Sequence, residues 1–200
     1  MPSSDCSNIE PSSSVPIFVF LKQNTFNISL DFARSSLFFS AGTGLSPFLS
    51  YLKKRDDQSE NMSNVLLFHC ARNQNLILEK KTLIKCFINK KNSTDKQLFI
   101  ALSRQRTDFL IDKTLENNHL TLGHISDVMT NNRDSILNLI SSSIDNRVSN
   151  NLLLSIYICG SKAFENNVKL ILKKLCENSS NFSDNFYENT LFHRIKVDRW

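Results

Sequence analysis

The chain contains 200 residues, of which 40% are hydrophobic and 22% are charged. This composition is typical of a soluble globular protein and excludes a disordered one, and the length is sufficient for one sizeable hydrophobic core. The net charge of +5 would suit an anionic partner, but Lys and Arg are spread along helix-like segments. Because no basic module with interleaved aromatic residues is present, nucleic acid is not a predicted partner.

The cysteines and the apolar runs bear on metal binding and location. The five cysteines are widely separated, without a C-x-x-C pair, and the acidic residues form no paired arrangement. These patterns argue against a metal site and favour reduced thiols. No apolar run approaches ~18 residues and no signal-peptide core is present, so we expect a cytoplasmic protein without a membrane segment.

The predicted elements change in character along the chain. Residues 1–14 are rich in Ser and Pro and predict a disordered lead or linker, and residues 15–28 predict a strand, a turn and a strand. Short apolar runs then predict strands buried on both faces of a parallel sheet, at 36–41, 64–71, 97–103 and 152–160. Apolar residues that recur with the period of a helix predict helices at 47–54, 76–88, 107–115, 125–144 and 162–176. This alternation predicts an α/β fold, a doubly wound parallel sheet with helices on both faces.

Ligands of such sheets bind beyond the carboxyl ends of the strands, and the first predicted strand ends in "SAGTG". Gly42 and Gly44 would let the backbone approach a pyrophosphate, and Thr43 would add a hydroxyl donor. The N-terminus of the next helix would supply oriented N–H groups. The motif is neither a Walker loop nor a complete G-x-G-x-x-G, so a plain turn remains the alternative.

Basic residues follow the second and third predicted strands. Ser103, Arg104 and Arg106 come directly after the third strand, where a hydroxyl and guanidinium groups suit a phosphate monoester. A helix-capping serine followed by solvated arginines would give the same pattern. Arg72, after the second strand, could contact phosphate or adenine.

The last predicted strand and the end of the sequence add a thiol, a carboxylate and an aromatic ring. Cys159 and Gly160 end the strand, and the glycine would permit a tight turn against a ligand. A buried structural thiol is the alternative for Cys159. Asp198 precedes Trp200, the only tryptophan, which is either an unanchored end or a flat ring placed to stack on another ring.

Taken in order, these motifs resemble the NADPH-binding domain of ferredoxin-NADP reductase-type enzymes, in particular diflavin reductases such as NADPH-cytochrome P450 reductase. The resemblance covers about Val15 to Trp200 and rests on G-T-G-x-[SA]-P-F, a Cys-Arg segment, S-R, Y-[IV]-C-G and a terminal R-x-x-x-D-x-W. It implies that Gly42, Thr43 and Gly44 hold the pyrophosphate and nicotinamide end of NADP. It also implies that the serine and arginine of S-R bind the 2′-phosphate.

The resemblance assigns roles to the remaining motifs as well. Cys159 and Gly160 would lie beside the nicotinamide, Asp198 near nicotinamide and flavin, and Trp200 on the isoalloxazine ring. Arg106 offers a replacement for a missing cation of the adenine-side motif. The implied activity is hydride transfer from NADPH to FAD, with onward electron transfer to a redox protein partner, through FMN in a diflavin enzyme.

Departures from the family pattern leave alternatives open. The R-x-Y-S motif and the small-residue loop that grip FAD in this family are missing, as is the tyrosine on which adenine stacks. We therefore expect residues 15–35 to be a remnant of the end of an FAD-binding domain and residues 36–200 to be an NADP-binding domain. This chain would bind NADP(H) better than FAD. The alternatives are a divergent non-catalytic module that keeps the fold for nucleotide binding or for a protein partner, and an unrelated α/β nucleotide- or phosphate-binding protein.

Overall fold

The computed structural model describes Phe26, Ile28 and residues 34–56, 64–87, 96–105, 120–145 and 151–199. Within these residues, strands β1 to β8 span Ser35–Ala41, Val65–Ala71, Lys96–Leu102, Leu120–Leu122, Ile144–Asp145, Asn151–Leu152, Leu154–Gly160 and Ile195–Arg199. Helices α1 to α5 span Ser46–Asp56, Lys80–Phe87, Ile125–Asn131, Arg133–Ser142 and Lys162–Glu177. Short 3₁₀ helices occupy Gly42–Leu45, Gln74–Leu76 and Phe192–Arg194, and a π-helical turn occupies Tyr187–Leu191.

Six of the strands form one parallel sheet in the order β4-β3-β2-β1-β7-β8, and β5 pairs with β6 separately. Strands β1 to β4 are added outward on one side of β1, and the chain then crosses to the other side for β7. The carboxyl ends of β1 and β7 therefore lie where the winding reverses. Open α/β sheets bind their ligands at this point.

Helices cover both faces of the sheet, as predicted. Helices α1 and α2 pack on one face and α3, α4 and α5 on the other. Phe38 of β1 faces the α1 side, Phe39 faces the α5 side, and both side chains are completely buried. With neither face in water, each central strand needs apolar residues at consecutive positions rather than at alternate ones.

The predicted strands 36–41, 64–71, 97–103 and 152–160 correspond to β1, β2, β3 and β7. The predicted helix 125–144 is instead two helices, α3 and α4. Asn132 separates them: its backbone, with φ −111° and ψ 27°, lies outside the helical range, and its side-chain amide donates to the carbonyl oxygen of Val128 at 2.8 Å. Strands β4, β5 and β8 were not predicted, and β5 begins at Ile144, where the predicted helix was to end. The lead 1–14 and the helix 107–115 lie outside the described residues, as does most of the strand pair 15–28.

Phe26 lies upstream of β1, yet its ring belongs to the core on the α1 side of the sheet, where 5% of it is exposed. It makes edge contacts with the ring of Phe48 at a centroid distance of 6.1 Å and with that of Tyr157 at 5.6 Å. Phe48 stacks in turn on Phe38 at 4.6 Å. A residue outside the sheet thus completes an aromatic cluster over β1 and β7.

Replacing this ring tests how much the upstream residue contributes to the core. We expect Phe26→Ala to lower the free energy of unfolding by about 3 kcal/mol, because a buried ring is lost and the cluster is left with a cavity. Leu170→Ala on α5 is the control, since 51% of Leu170 is exposed. Urea denaturation would measure both. Equal stability of the two variants would contradict the packing of Phe26.

Candidate functional site

The polar residues singled out by sequence lie along one edge of the sheet, at the carboxyl ends of neighbouring strands. In spatial order, β3 leads to Ser103, β2 to Arg72, β1 to Gly42, β7 ends at Gly160 and β8 carries Asp198. These five strands span four inter-strand spacings, roughly 19 Å. The edge therefore forms one extended row that a long ligand could follow.

The turn after β1 is a 3₁₀ helix that leads directly into α1. Gly42 has φ +51°, a conformation that favours glycine, and a Cβ atom there would meet nothing within 4 Å. Thr43 is exposed. The first turn of α1 contains no acidic residue and its last turn contains Lys53, Lys54 and Arg55, so its N-terminus keeps its partial positive charge for a ligand. Open space and a positively polarised helix N-terminus of this kind favour an anionic ligand.

Gly44 brings the turn against β7. A Cβ atom at Gly44 would lie 2.5 Å from the carbonyl oxygen of Cys159 and 3.1 Å from its Sγ atom. Such distances are too short for real atoms, so the close approach requires glycine. Gly160 is also constrained, because its Cβ would lie 2.7 Å from the ring of Phe164. The two predicted motifs, G-T-G and C-G, therefore meet in the fold.

Cys159 also meets the end of β8. It pairs with Asp198 in the register of β7 and β8, and its thiol donates to Oδ2 of Asp198 at 4.0 Å. The thiol is 2% exposed, whereas the aspartate is half-buried. The predicted Cys159 and Asp198 thus lie together, beside Gly44.

The other end of the row is basic. The backbone N–H of Arg104 donates to the carbonyl of Arg72 at 2.8 Å, and Ser103 donates to the carbonyl of Ala71. The loops after β2 and β3 are joined further by a hydrogen bond from the backbone of Gln74 to the side chain of Gln105. Arg72 and Arg104 are both exposed, and neither forms an ion pair with another residue that the structure describes. Two neighbouring cations held in this way favour an anionic ligand.

His69 lies buried beneath this edge, on the α1 side of β2. Its Nδ1 atom is 2.9 Å from the hydroxyl oxygen of Ser40, and its Nε2 atom has no hydrogen-bond partner among the described residues. Burial lowers the pKa of His69 from 6.5 to about 4, and a hydrogen bond with the backbone of Ser40 opposes this only in part. The imidazole is therefore neutral at physiological pH.

Two predicted site residues, Arg106 and Trp200, lie outside the described part of the chain. The sequence analysis missed Glu165, whose carboxylate binds Arg199 beside the row. A lone glutamate in a helix carries no signal of such a partner. Among the described residues, no group of three His, Cys, Asp or Glu side chains could hold a metal ion, and no helix is long and apolar enough to cross a membrane.

Comparison with known proteins gave one family match and several structural ones. Residues 38–170 match the family described as "Oxidoreductase NAD-binding domain", whereas no curated protein matched the chain. Ferredoxin-NADP+ reductase from Plasmodium falciparum has a TM-score of 0.57 and 20% identity, covering 89% of this chain and 59% of that one. The same enzyme with 2′P-AMP has a TM-score of 0.56 and 20% identity, covering 89% and 58%. This chain thus spans less than two thirds of that enzyme, and at these identities the likeness shows the fold alone.

The contact between Gly44 and Cys159 predicts unequal effects of alanine at the two turn glycines. Gly44→Ala should lower the free energy of unfolding by about 1–3 kcal/mol, because the backbone of the turn or of β7 must move. Gly42→Ala should cost about 1 kcal/mol, because only the strained φ opposes it. Urea denaturation measures both changes, and a larger loss at Gly42 would contradict the geometry.

The buried His69 predicts a pH dependence of stability. Between pH 6.5 and about 4, the unfolded chain binds a proton at this residue and the folded chain does not. The free energy of unfolding should therefore fall as the pH drops through this window, by about 3 kcal/mol in total from this group, and its contribution should stay constant below it. His69→Gln should remove this slope, and His193→Gln, at an exposed site, should keep it. A slope unchanged by His69→Gln would refute the assignment.

Proposed function

Because the chain belongs to the oxidoreductase NAD-binding domain family, we propose that it binds NADPH as the C-terminal part of a flavin-dependent reductase. The paired cations Arg72 and Arg104, beside the Ser103 hydroxyl, are the observation that carries the choice of NADPH over NADH. NADPH differs from NADH by a 2′-phosphate, and guanidinium groups bind a phosphate through paired charge-assisted hydrogen bonds.

In this proposal the ligand lies along the row of strand ends, from β3 and β2 at one end to β7 and β8 at the other. With the 2′-phosphate at β2 and β3, the pyrophosphate lies at Gly42, Thr43 and Gly44, where the N-terminus of α1 contributes N–H groups. The nicotinamide reaches Cys159 and Gly160, next to Asp198. Trp200 is the proposed ring that stacks on the flavin.

The chemistry of the bound groups is hydride donation by NADPH and hydride acceptance by FAD. The residues of this chain contribute positions and charges. Gly44 allows the turn to approach Cys159, whose thiol proton is directed toward the Asp198 carboxylate. FAD, and FMN in a diflavin enzyme, would be held by other domains, and electrons would pass on to a redox protein partner.

The 2′-phosphate assignment is tested by retention on a resin that carries 2′,5′-ADP. The intact chain should be retained, and Arg104→Ala should weaken binding by about 10- to 100-fold, since a charge-assisted hydrogen bond is worth roughly 1.5–3 kcal/mol. Arg133→Ala is the matched control, because Arg133 is an exposed arginine in an ion pair with Asp134 on α4. Absence of retention of the intact chain would refute the proposal and favour the non-catalytic alternative.

A second measurement addresses the coenzyme preference. By calorimetry, the chain should bind NADP⁺ more tightly than NAD⁺, and Arg104→Ala should bring the two affinities together, because only NADP⁺ carries the phosphate that the arginine contacts. The control Arg133→Ala should keep the difference. Equal affinities in the intact chain would contradict the role of the basic pair.

A further inference from the structure

Glu165 is a buried carboxylate that the proposed nucleotide contacts do not use. It lies in the first turn of α5, and its side chain is 1% exposed. Arg199 donates to it twice, from Nε to Oε2 at 2.6 Å and from Nη2 to Oε1 at 3.1 Å. Lys169 donates to Oε1 at 2.7 Å, and Lys162 lies 3.5 Å from Oε2. The carboxylate thus contacts three cations, of which only Arg199 belongs to another element.

These contacts keep the carboxylate charged. The pKa of Glu165 is lowered from 4.5 to about 2, chiefly by the hydrogen bonds from Arg199. The hydrogen bond from Lys169 and its positive charge act in the same direction, whereas burial opposes them. The partial positive charge at the N-terminus of α5 acts in the same direction. The bond to Arg199 is therefore present throughout the physiological pH range.

The bond to Glu165 acts on the last residue of an edge strand. Strand β8 has five residues, lies at the edge of the sheet and pairs with β7 on one side only. All five of its residues are exposed or half-buried. Arg199 is the last residue of the strand and pairs with Gly160 of β7, and its bidentate bond to Glu165 adds a link from this end of β8 to the start of α5.

Strand geometry transmits this bond to the opposite face of the sheet. Side chains alternate along a strand, and Val197 packs on the α5 side, where Arg199 binds Glu165. Asp198 and Lys196 therefore point to the α1 side, where Lys196 lies over the ring of Tyr157 and Asp198 meets Cys159. Holding Arg199 on one face consequently sets the direction of Asp198 on the other.

We propose that Glu165 is a positioning residue which, through Arg199, holds the end of β8 so that Asp198 faces Cys159. This inference rests on the proposed function, because the proposed function assigns Cys159 and Asp198 to the nicotinamide end of the row. The basic end, at β3, is four strand spacings away, roughly 19 Å. Loss of the bond should therefore change the nicotinamide end and leave the 2′-phosphate end as it is.

The test compares Glu165→Gln and Arg199→Met with the intact chain. Both variants should increase the rate of alkylation of Cys159 by iodoacetamide about tenfold, because the end of β8 is no longer held against β7. Peptide mass spectrometry would quantify the alkylation. Cys86 on α2 is the internal reference, since it is 2% exposed, like Cys159. The fluorescence anisotropy of Trp200, the residue after Arg199 and the only tryptophan, should fall in both variants.

Matched variants separate this role from a general effect on stability. Glu188→Gln removes the carboxylate of another ion pair of α5, that of Lys173 with Glu188, and should leave Cys159 labelling and Trp200 anisotropy unchanged. Arg199→Lys keeps a cation and should recover most of the protection. If Glu165→Gln fails to fold, Arg199→Met still gives the answer, because the Arg199 side chain is 53% exposed.

The outcomes distinguish the two proposals. Retention of the variants on the 2′,5′-ADP resin should match that of the intact chain. Unchanged Cys159 labelling in Glu165→Gln and Arg199→Met, or an equal increase in Glu188→Gln, would overturn the positioning role even if the resin retains every variant. Absence of retention of the intact chain would overturn the proposed function. Increased Cys159 labelling confined to Glu165→Gln and Arg199→Met would still support the bond between these two residues as the restraint on Asp198.

Discussion

Parallel pairing on both sides of β1 is the constraint on which the rest of the structure depends. With β2 on one side and β7 on the other, β1 must be apolar on both faces, and all carboxyl ends must lie at one edge. Residues that are far apart in the sequence, such as Gly44 and Asp198, can therefore contact the same thiol. This edge is the place at which open α/β sheets bind their ligands.

The two ends of this edge differ in electrostatic character. Arg72 and Arg104 extend into solvent at β2 and β3, whereas at β7 and β8 a thiol and a carboxylate share a mostly buried position. Exposed cations can bind an anion from solution at little cost in desolvation free energy. The buried thiol of Cys159, in contrast, is held at a fixed distance from the Asp198 carboxylate. The two ends of the edge therefore differ in exposure as well as in charge.

The sequence predicted the parts of the fold in which local pattern and tertiary environment agree. Continuous apolar runs located β1, β2, β3 and β7 because both faces of these strands are buried. Strand β8 was not predicted because its five residues at the sheet edge form no continuous apolar run, and α3 and α4 were merged because the break is confined to the backbone of one residue, Asn132. Motif order located Gly42, Ser103, Cys159 and Asp198 at neighbouring strand ends, whereas Arg106 and Trp200 lie outside the described residues. It could not reveal Glu165, whose partner lies 34 positions away and is adjacent only after β7 and β8 pair.

Phe26 has a practical consequence for anyone who works with part of this chain. A fragment that begins at β1 would leave the rings of Phe48 and Tyr157 open to water where Phe26 now covers them. Exposed aromatic patches of this kind promote self-association. Cleavage sites for limited proteolysis and start points for expression should therefore be placed before Phe26, although the sheet itself begins nine positions later.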